Sequence, residues 1–128
     1  MKVDKLRELY KKYVLEPEDT FKHKHYTIIT RSGIDKIQAK AKISIRYEAI
    51  RCEPDFCVFK ATGSSGENTI ETFGSAKHDA NPKNGSTTSW YVAEMAEKRA
   101  MSRAVLKLTG FYELGVFGED ESESFKKN

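Results

Sequence analysis

An α+β domain is predicted: a three-stranded antiparallel meander packed by a long C-terminal helix, preceded by an N-terminal helix and a short second helix. Three observations predict it. Apolar residues recur at three and four near the start and again across 89–109, they alternate over 43–77, and turn formers punctuate the alternating stretch. Strands grouped between helices, with no βαβ alternation, belong to an antiparallel sheet with a helix laid across it.

The first helix is read from Val3, Leu6, Leu9, Tyr10, Tyr13 and Val14, and it ends before Pro17. Asp4 early and Lys11 and Lys12 late suit its dipole. Residues 16–24 read as a polar connector, and HYTIIT at 25–30 as a short extended piece. Ser32 then caps a short helix with Ile34, Ile37 and Ala41 on one face.

From Ile43 the period changes to two. Ile43, Ile45, Tyr47 and Ala49 alternate with Ser44, Arg46 and Glu48, the pattern of a half-buried strand. Glu53-Pro54-Asp55 supplies a turn, residues 56–62 a second strand, and Gly63-Ser64-Ser65-Gly66 a hairpin tip. Residues 68–77 form the third strand, in which Gly74 marks a bulge or close packing. A loop of turn formers leads to one long helix over 89–109, capped by Ser89 or Thr88 and stopped at Gly110. Phe111, Tyr112 and Val116 are expected to pack back on the domain, which is drawn as 1–112. Residues 113–128 are expected to be an acidic, flexible tail.

Composition narrows the function. The chain has 128 residues and a formal net charge of +3, spread unevenly. Residues 1–110 hold 20 Lys+Arg against 14 Asp+Glu, whereas 111–128 hold 2 against 5. A basic body with an acidic tail is common in proteins that meet polyanions. No apolar run approaches the roughly 20 residues of a membrane span, and MKVDKLREL does not read as a signal peptide, so a cytoplasmic protein is expected. Cys52 and Cys57, a lone C-x4-C, read as two small buried thiols rather than a zinc site.

The long helix carries the sharpest functional signal. Ala93, Ala96, Ala100 and Ala104 form a small-residue stripe for close packing, and Arg99, Arg103 and Lys107 form a basic ridge at spacings of four. Arg46, Arg51 and Lys60 on the sheet add cations. Tyr47 and Phe59 are interleaved with them as rings that also fit the core, and Trp90 and Tyr91 at the helix start suit a ligand or subunit contact. Single-stranded nucleic acid is held by such a mixture, with cations on phosphates and rings under bases. On this reading Arg99→Ala with Arg103→Ala leaves the fold intact and weakens strand binding at least tenfold.

Enzyme chemistry finds little support. No P-loop, G-x-S-x-G or G-x-G-x-x-G motif occurs. His23, His25 and His78 are the only imidazoles, with nothing in sequence to bring them together. A non-catalytic protein without metal or cofactor is expected.

Residues 71–112, ETFGSAKHDANPKNGSTTSWYVAEMAEKRAMSRAVLKLTGFY, resemble the C-terminal half of phage-type single-strand annealing proteins, the Erf and Sak kind of the Rad-like annealing superfamily. IITRSGIDKIQAKAKISI is similar to that family's short helix leading into its first strand, so the resemblance covers about residues 26–112. It implies a β-β-β-α core, ring or filament assembly, and DNA binding without catalysis or cofactor. Arg99, Arg103 and Lys107 are the matching basic positions, and Gly110 the stop. The long second domain of the family has no counterpart here, so strand binding is implied more directly than autonomous annealing. The expected function is thus single-stranded DNA binding in recombination, repair or phage replication. DNA is favoured over RNA, the protein is expected to be a homo-oligomer, and the acidic tail is open to a protein partner. The alternative is a small oligomerising interaction module that binds no nucleic acid.

Overall fold

The computed structural model describes residues 2–81 and 85–122 and confirms an α+β fold. Its elements are α1 (Lys2–Lys12), β1 (Thr20–His23), β2 (Tyr26–Ile29), α2 (Arg31–Ala41), β3 (Ser44–Cys52), β4 (Phe56–Ser65), β5 (Asn68–Lys77), α3 (Val92–Thr109), β6 (Val116–Gly118) and α4 (Glu119–Ser122). Short 3-10 turns occupy Pro17–Asp19 and Tyr112–Leu114. The meander β3-β4-β5 is antiparallel throughout, and α3 lies across β4 and β5.

A second sheet, of order β1-β2-β6, corrects two expectations. The connector 16–24 contains β1, which pairs antiparallel with β2 from Thr20 opposite Ile29 to His23 opposite Tyr26. The region assigned to a flexible tail is structured as far as Ser122. There β6 pairs in parallel with β2, and α4 turns back over α3. Phe111 and Val116, fully buried, anchor this return, as their apolar character predicts. Glu123 and the residues after it lie outside the described residues.

Helix α3 is buried on two sides by different means. Toward the meander it presents Ala96, Ala100 and Ala104, all fully buried, so its backbone can approach the sheet. Gly74 makes the closest approach. A Cβ built there would lie 2.3 Å from both the Ala96 carbonyl oxygen and the Ala100 nitrogen. Beside it Thr72 Oγ1 donates to the Ala100 carbonyl at 2.6 Å. Gly74 is therefore a packing glycine and not a bulge. The bulge sits in β3, where the register slips between Ala49 and Arg51. On its other side α3 sends Met101, Val105 and Leu106 into a core with Tyr13, Ile29, Ile34, Ile37, Phe111 and Val116. Burying one such side chain stabilises by about 1.5–3 kcal/mol.

The helix ends refine the expectations. Thr30, and not Ser32, caps α2, with Thr30 Oγ1 accepting from the Gly33 amide at 3.2 Å. Helix α3 begins at Val92, and Ser89 caps the turn before it by accepting from the Tyr91 amide. Gly110 ends α3 at φ 89°, a left-handed conformation that costs glycine little. Strand β4 runs to Ser65, so the hairpin tip is Gly66-Glu67. No described helix is long and apolar enough to cross a membrane.

Candidate nucleic-acid interface

Two of the three cations of the α3 ridge, Arg99 and Arg103, are engaged by the chain itself and are not open to solvent as expected. Arg99 is only 5% exposed. Its Nη1 donates to the Ser75 carbonyl at 2.8 Å and to Ser86 Oγ at 3.2 Å, while Nη2 reaches the Ser86 carbonyl and Nε the Asp120 carbonyl. Arg103 donates from Nη1 to the Phe73 carbonyl at 2.7 Å and from Nε to Glu121 at 3.2 Å. The physical reason is the edge of the sheet. β5 is an outer strand, and an unpaired carbonyl there needs a donor. Phe73 and Ser75 obtain it from one turn of α3 each, and Lys77 obtains it from the amides of Ser86 and Thr87.

The acidic segment completes this lattice. Glu121 is 5% exposed, and burial pushes its carboxyl up while Arg103 pulls it back down. Asp120 is likewise pushed up by burial, against the pull of Arg31 and a hydrogen bond from Ser102. These acids hold α4 in place, so as far as Ser122 the tail does not offer them to a partner. Lys107 is the exposed member of the ridge, with its Nζ 5.2 Å from the centre of the Tyr112 ring.

The remaining predicted residues gather on the meander. Register places Arg46, Glu48, Lys60 and Glu71 on the face away from α3, together with Phe56, Val58, Phe73 and Lys77. Their neighbours in sequence, Ala61, Gly63, Gly74 and Ala76, turn toward the helix and are buried. Nothing covers the outer face among the described residues: Arg46, Arg51 and Lys77 are exposed, and Phe73 is 50% exposed. Lys60 sits between Glu71 at 3.3 Å and Glu48 at 3.6 Å, which raise its pKa and keep it a cation.

The far end of this face is the richest part. Arg51 pairs with Glu53 and lies 5.0 Å over the Phe56 ring. Phe56 is directly opposite Lys77, and a cavity of about 310 Å³ opens between Arg51, Glu53, Asp55, Phe56 and Lys77. The exposed Arg51–Glu53 pair is worth little and is easily exchanged for another anion. The His78 amide donates to the Asp55 carbonyl, and the His78 ring stacks on Trp90 at 3.5 Å. Trp90 and Tyr91 are 65% and 69% exposed. Cations, rings and an open surface thus meet where β3, β4 and β5 approach the start of α3.

Sequence reasoning named Arg46, Arg51, Lys60, Trp90 and Tyr91 but missed Phe56, Phe73, Lys77 and His78. The signal for two of them was present: β5 alternates small residues with Glu71, Phe73 and Lys77, so the larger set must face out. Tyr47 and Phe59 lie on the helix side, Phe59 half-buried and Tyr47 41% exposed beyond the helix. Cys52 and Cys57 are free and directly opposite each other, with sulfurs 3.6 Å apart. Only Cys57 is buried, so the expectation of two buried thiols is half corrected. Among the described residues no group of three or more His, Cys, Asp or Glu is arranged to hold a metal. No protein-family model, curated protein or solved structure matches the chain.

Proposed function

We propose that the protein binds single-stranded nucleic acid, DNA in preference to RNA, on the open face of β3, β4 and β5. The observation that supports this most is one uncovered sheet face carrying Arg46, Arg51, Lys60 and Lys77 beside the exposed ring of Phe73. A flat sheet with rings and cations suits splayed bases and a flexible backbone, because every base has a face to stack and every nucleotide a phosphate to neutralise. Trp90 extends the stacking surface past the end of the sheet. The role is non-catalytic: the protein holds or pairs strands in recombination, repair or phage replication, in keeping with the resemblance of residues 26–112 to annealing proteins. Arg99 and Arg103 serve this role only indirectly, by keeping β5 and α4 in place.

The test is fluorescence anisotropy of a labelled oligothymidine over a salt series, with a ribo-oligonucleotide of the same length beside it. Binding should weaken steeply with salt as counterion release loses its force. Arg51→Glu with Lys77→Glu should weaken it at least tenfold at moderate salt, and Phe73→Ala should weaken it severalfold. An oligonucleotide that is not retained even at low salt would contradict the proposal and favour a protein-interaction module. Undiminished binding by the double variant would contradict the site.

A further inference from the structure

The two edges of the meander differ. On β5 the outward carbonyls of Phe73, Ser75 and Lys77 are all occupied by donors from the same chain. Those bonds also fix the hydrogen-bonding phase of the sheet. If 73, 75 and 77 point outward, then Thr72, Gly74 and Ala76 point to β4, where they meet Ala61, Phe59 and Cys57. Lys60, Thr62 and Ser64 of β4 must then face β3, where they meet Glu48, Arg46 and Ser44. The main-chain groups of Ile45, Tyr47 and Ala49 consequently point away from the sheet. Among the described residues no other element hydrogen-bonds to them. Every residue of β3 except Ile45 is exposed.

The sequence along this edge is complementary to itself. In an antiparallel pair of two β3 strands centred on Tyr47, Tyr47 meets Tyr47, Ile45 meets Ala49, and Arg46 meets Glu48. The first two sets are those with outward main-chain groups, so each forms a reciprocal hydrogen-bonded pair, giving about six bonds in all. Arg46 and Glu48 fall at the intervening positions, where side chains come closest, and they form an ion pair twice over. Sliding the register by two residues in one direction sets Arg46 against Arg46, and in the other it sets Glu48 against Glu48. Of these three registers only the Tyr47-centred one avoids a like-charge pair, and it alone sets Arg46 against Glu48. The bulge between Ala49 and Arg51 ends the regular edge and limits how far pairing can run.

We propose that two copies of this chain join antiparallel through β3, with Tyr47 on the two-fold axis and Arg46 of each copy paired to Glu48 of the other. Such an interface is isologous and closes after two copies. Head-to-tail growth from β3 of one copy to β5 of the next is blocked by Arg99 and Arg103. The pairing merges two open faces into one six-stranded surface, and it does not require that nucleic acid bind there. An edge of this length buries less than the roughly 1,200 Å² of a stable complex, so the dimer should dissociate on dilution.

The experiment is sedimentation velocity of the full chain without nucleic acid over a concentration series. Wild type should pass from the mass of one chain to that of two. Arg46→Glu, which sets Glu against Glu at both pairs, should weaken the dimer at least tenfold with an unchanged circular-dichroism spectrum. Arg46→Glu with Glu48→Arg should restore it. A mass of one chain throughout would overturn the proposal. So would a larger assembly that survives Tyr47→Pro, a dimer indifferent to Arg46→Glu, or a charge swap that does not rescue. Because no oligonucleotide is present, failure here leaves strand binding to be judged by its own titration.

Discussion

The guanidinium of Arg99 and the main-chain carbonyl of Ser75 form a 2.8 Å hydrogen bond that ties the middle of α3 to the outer edge of the meander. One turn later Arg103 makes the equivalent bond to Phe73. Spacing by four on the helix thus matches spacing by two on the strand, about 6 Å against about 7 Å. The edge is closed by side chains instead of by another strand.

Removing Arg99 should therefore harm the fold before it harms any binding. Arg99→Ala strips donors from the carbonyls of Ser75, Ser86 and Asp120 at a buried position, at a cost of about 3 kcal/mol or more. Arg99→Lys should not restore it, since an ammonium lacks the planar fork that reaches three carbonyls. Urea unfolding midpoints check both. Midpoints at the wild-type value would return Arg99 to the list of ligand contacts.

How much of this was legible follows from what each signal encodes. The glycine that stops α3 at Gly110, the alternation of β5 over 68–77 and the small stripe at Ala96, Ala100 and Ala104 depend on local geometry, and they were read correctly. The i, i+4 spacing of Arg99, Arg103 and Lys107 shows that they share a ridge. It does not show whether that ridge meets water or an orphaned strand edge, which is a tertiary fact. Strand β6, only Val116–Gly118, is too short to carry a period, and without it the acids of α4 look like a solvated tail. The burial of Glu121 against Arg103, and of Arg99 beneath the Asp120 carbonyl, is what turned the expected ligand site into structure.

Arg103 and Glu121 should be strongly coupled. Arg103→Ala removes one of the cations that act on the buried Glu121 carboxyl and should cost about 1–3 kcal/mol, whereas Arg103→Ala with Glu121→Gln should recover a good part of that. A double-mutant cycle of unfolding free energies measures the coupling. Additive single effects would show that the pair contributes nothing specific.

Asp19 and Glu121 should give opposite pH signatures. Burial pushes the Asp19 carboxyl up, but hydrogen bonds from Lys36 Nζ at 2.7 Å and the Glu16 amide at 2.8 Å outweigh it and hold the carboxyl below its ordinary value. Its contribution is present above the unfolded value of about 3.9 and fades as pH falls through the lower folded one. Glu121, with a raised folded value, binds its proton more tightly when folded. Its contribution is greatest below the unfolded value of about 4.3 and is lost as pH rises through the folded value. Asp19→Asn should thus flatten the acid limb of a stability–pH curve, and Glu121→Gln the limb above it. The same curve for both variants as for wild type would contradict these assignments.

The most direct test of where a strand lies is ultraviolet cross-linking of the full chain to a 5-bromouracil oligonucleotide, followed by peptide mapping. Adducts are expected within 56–77, at Phe56 or Phe73, and at Trp90. Adducts confined to the surface around Lys107 and Tyr112, with the sheet face unmarked, would contradict this placement.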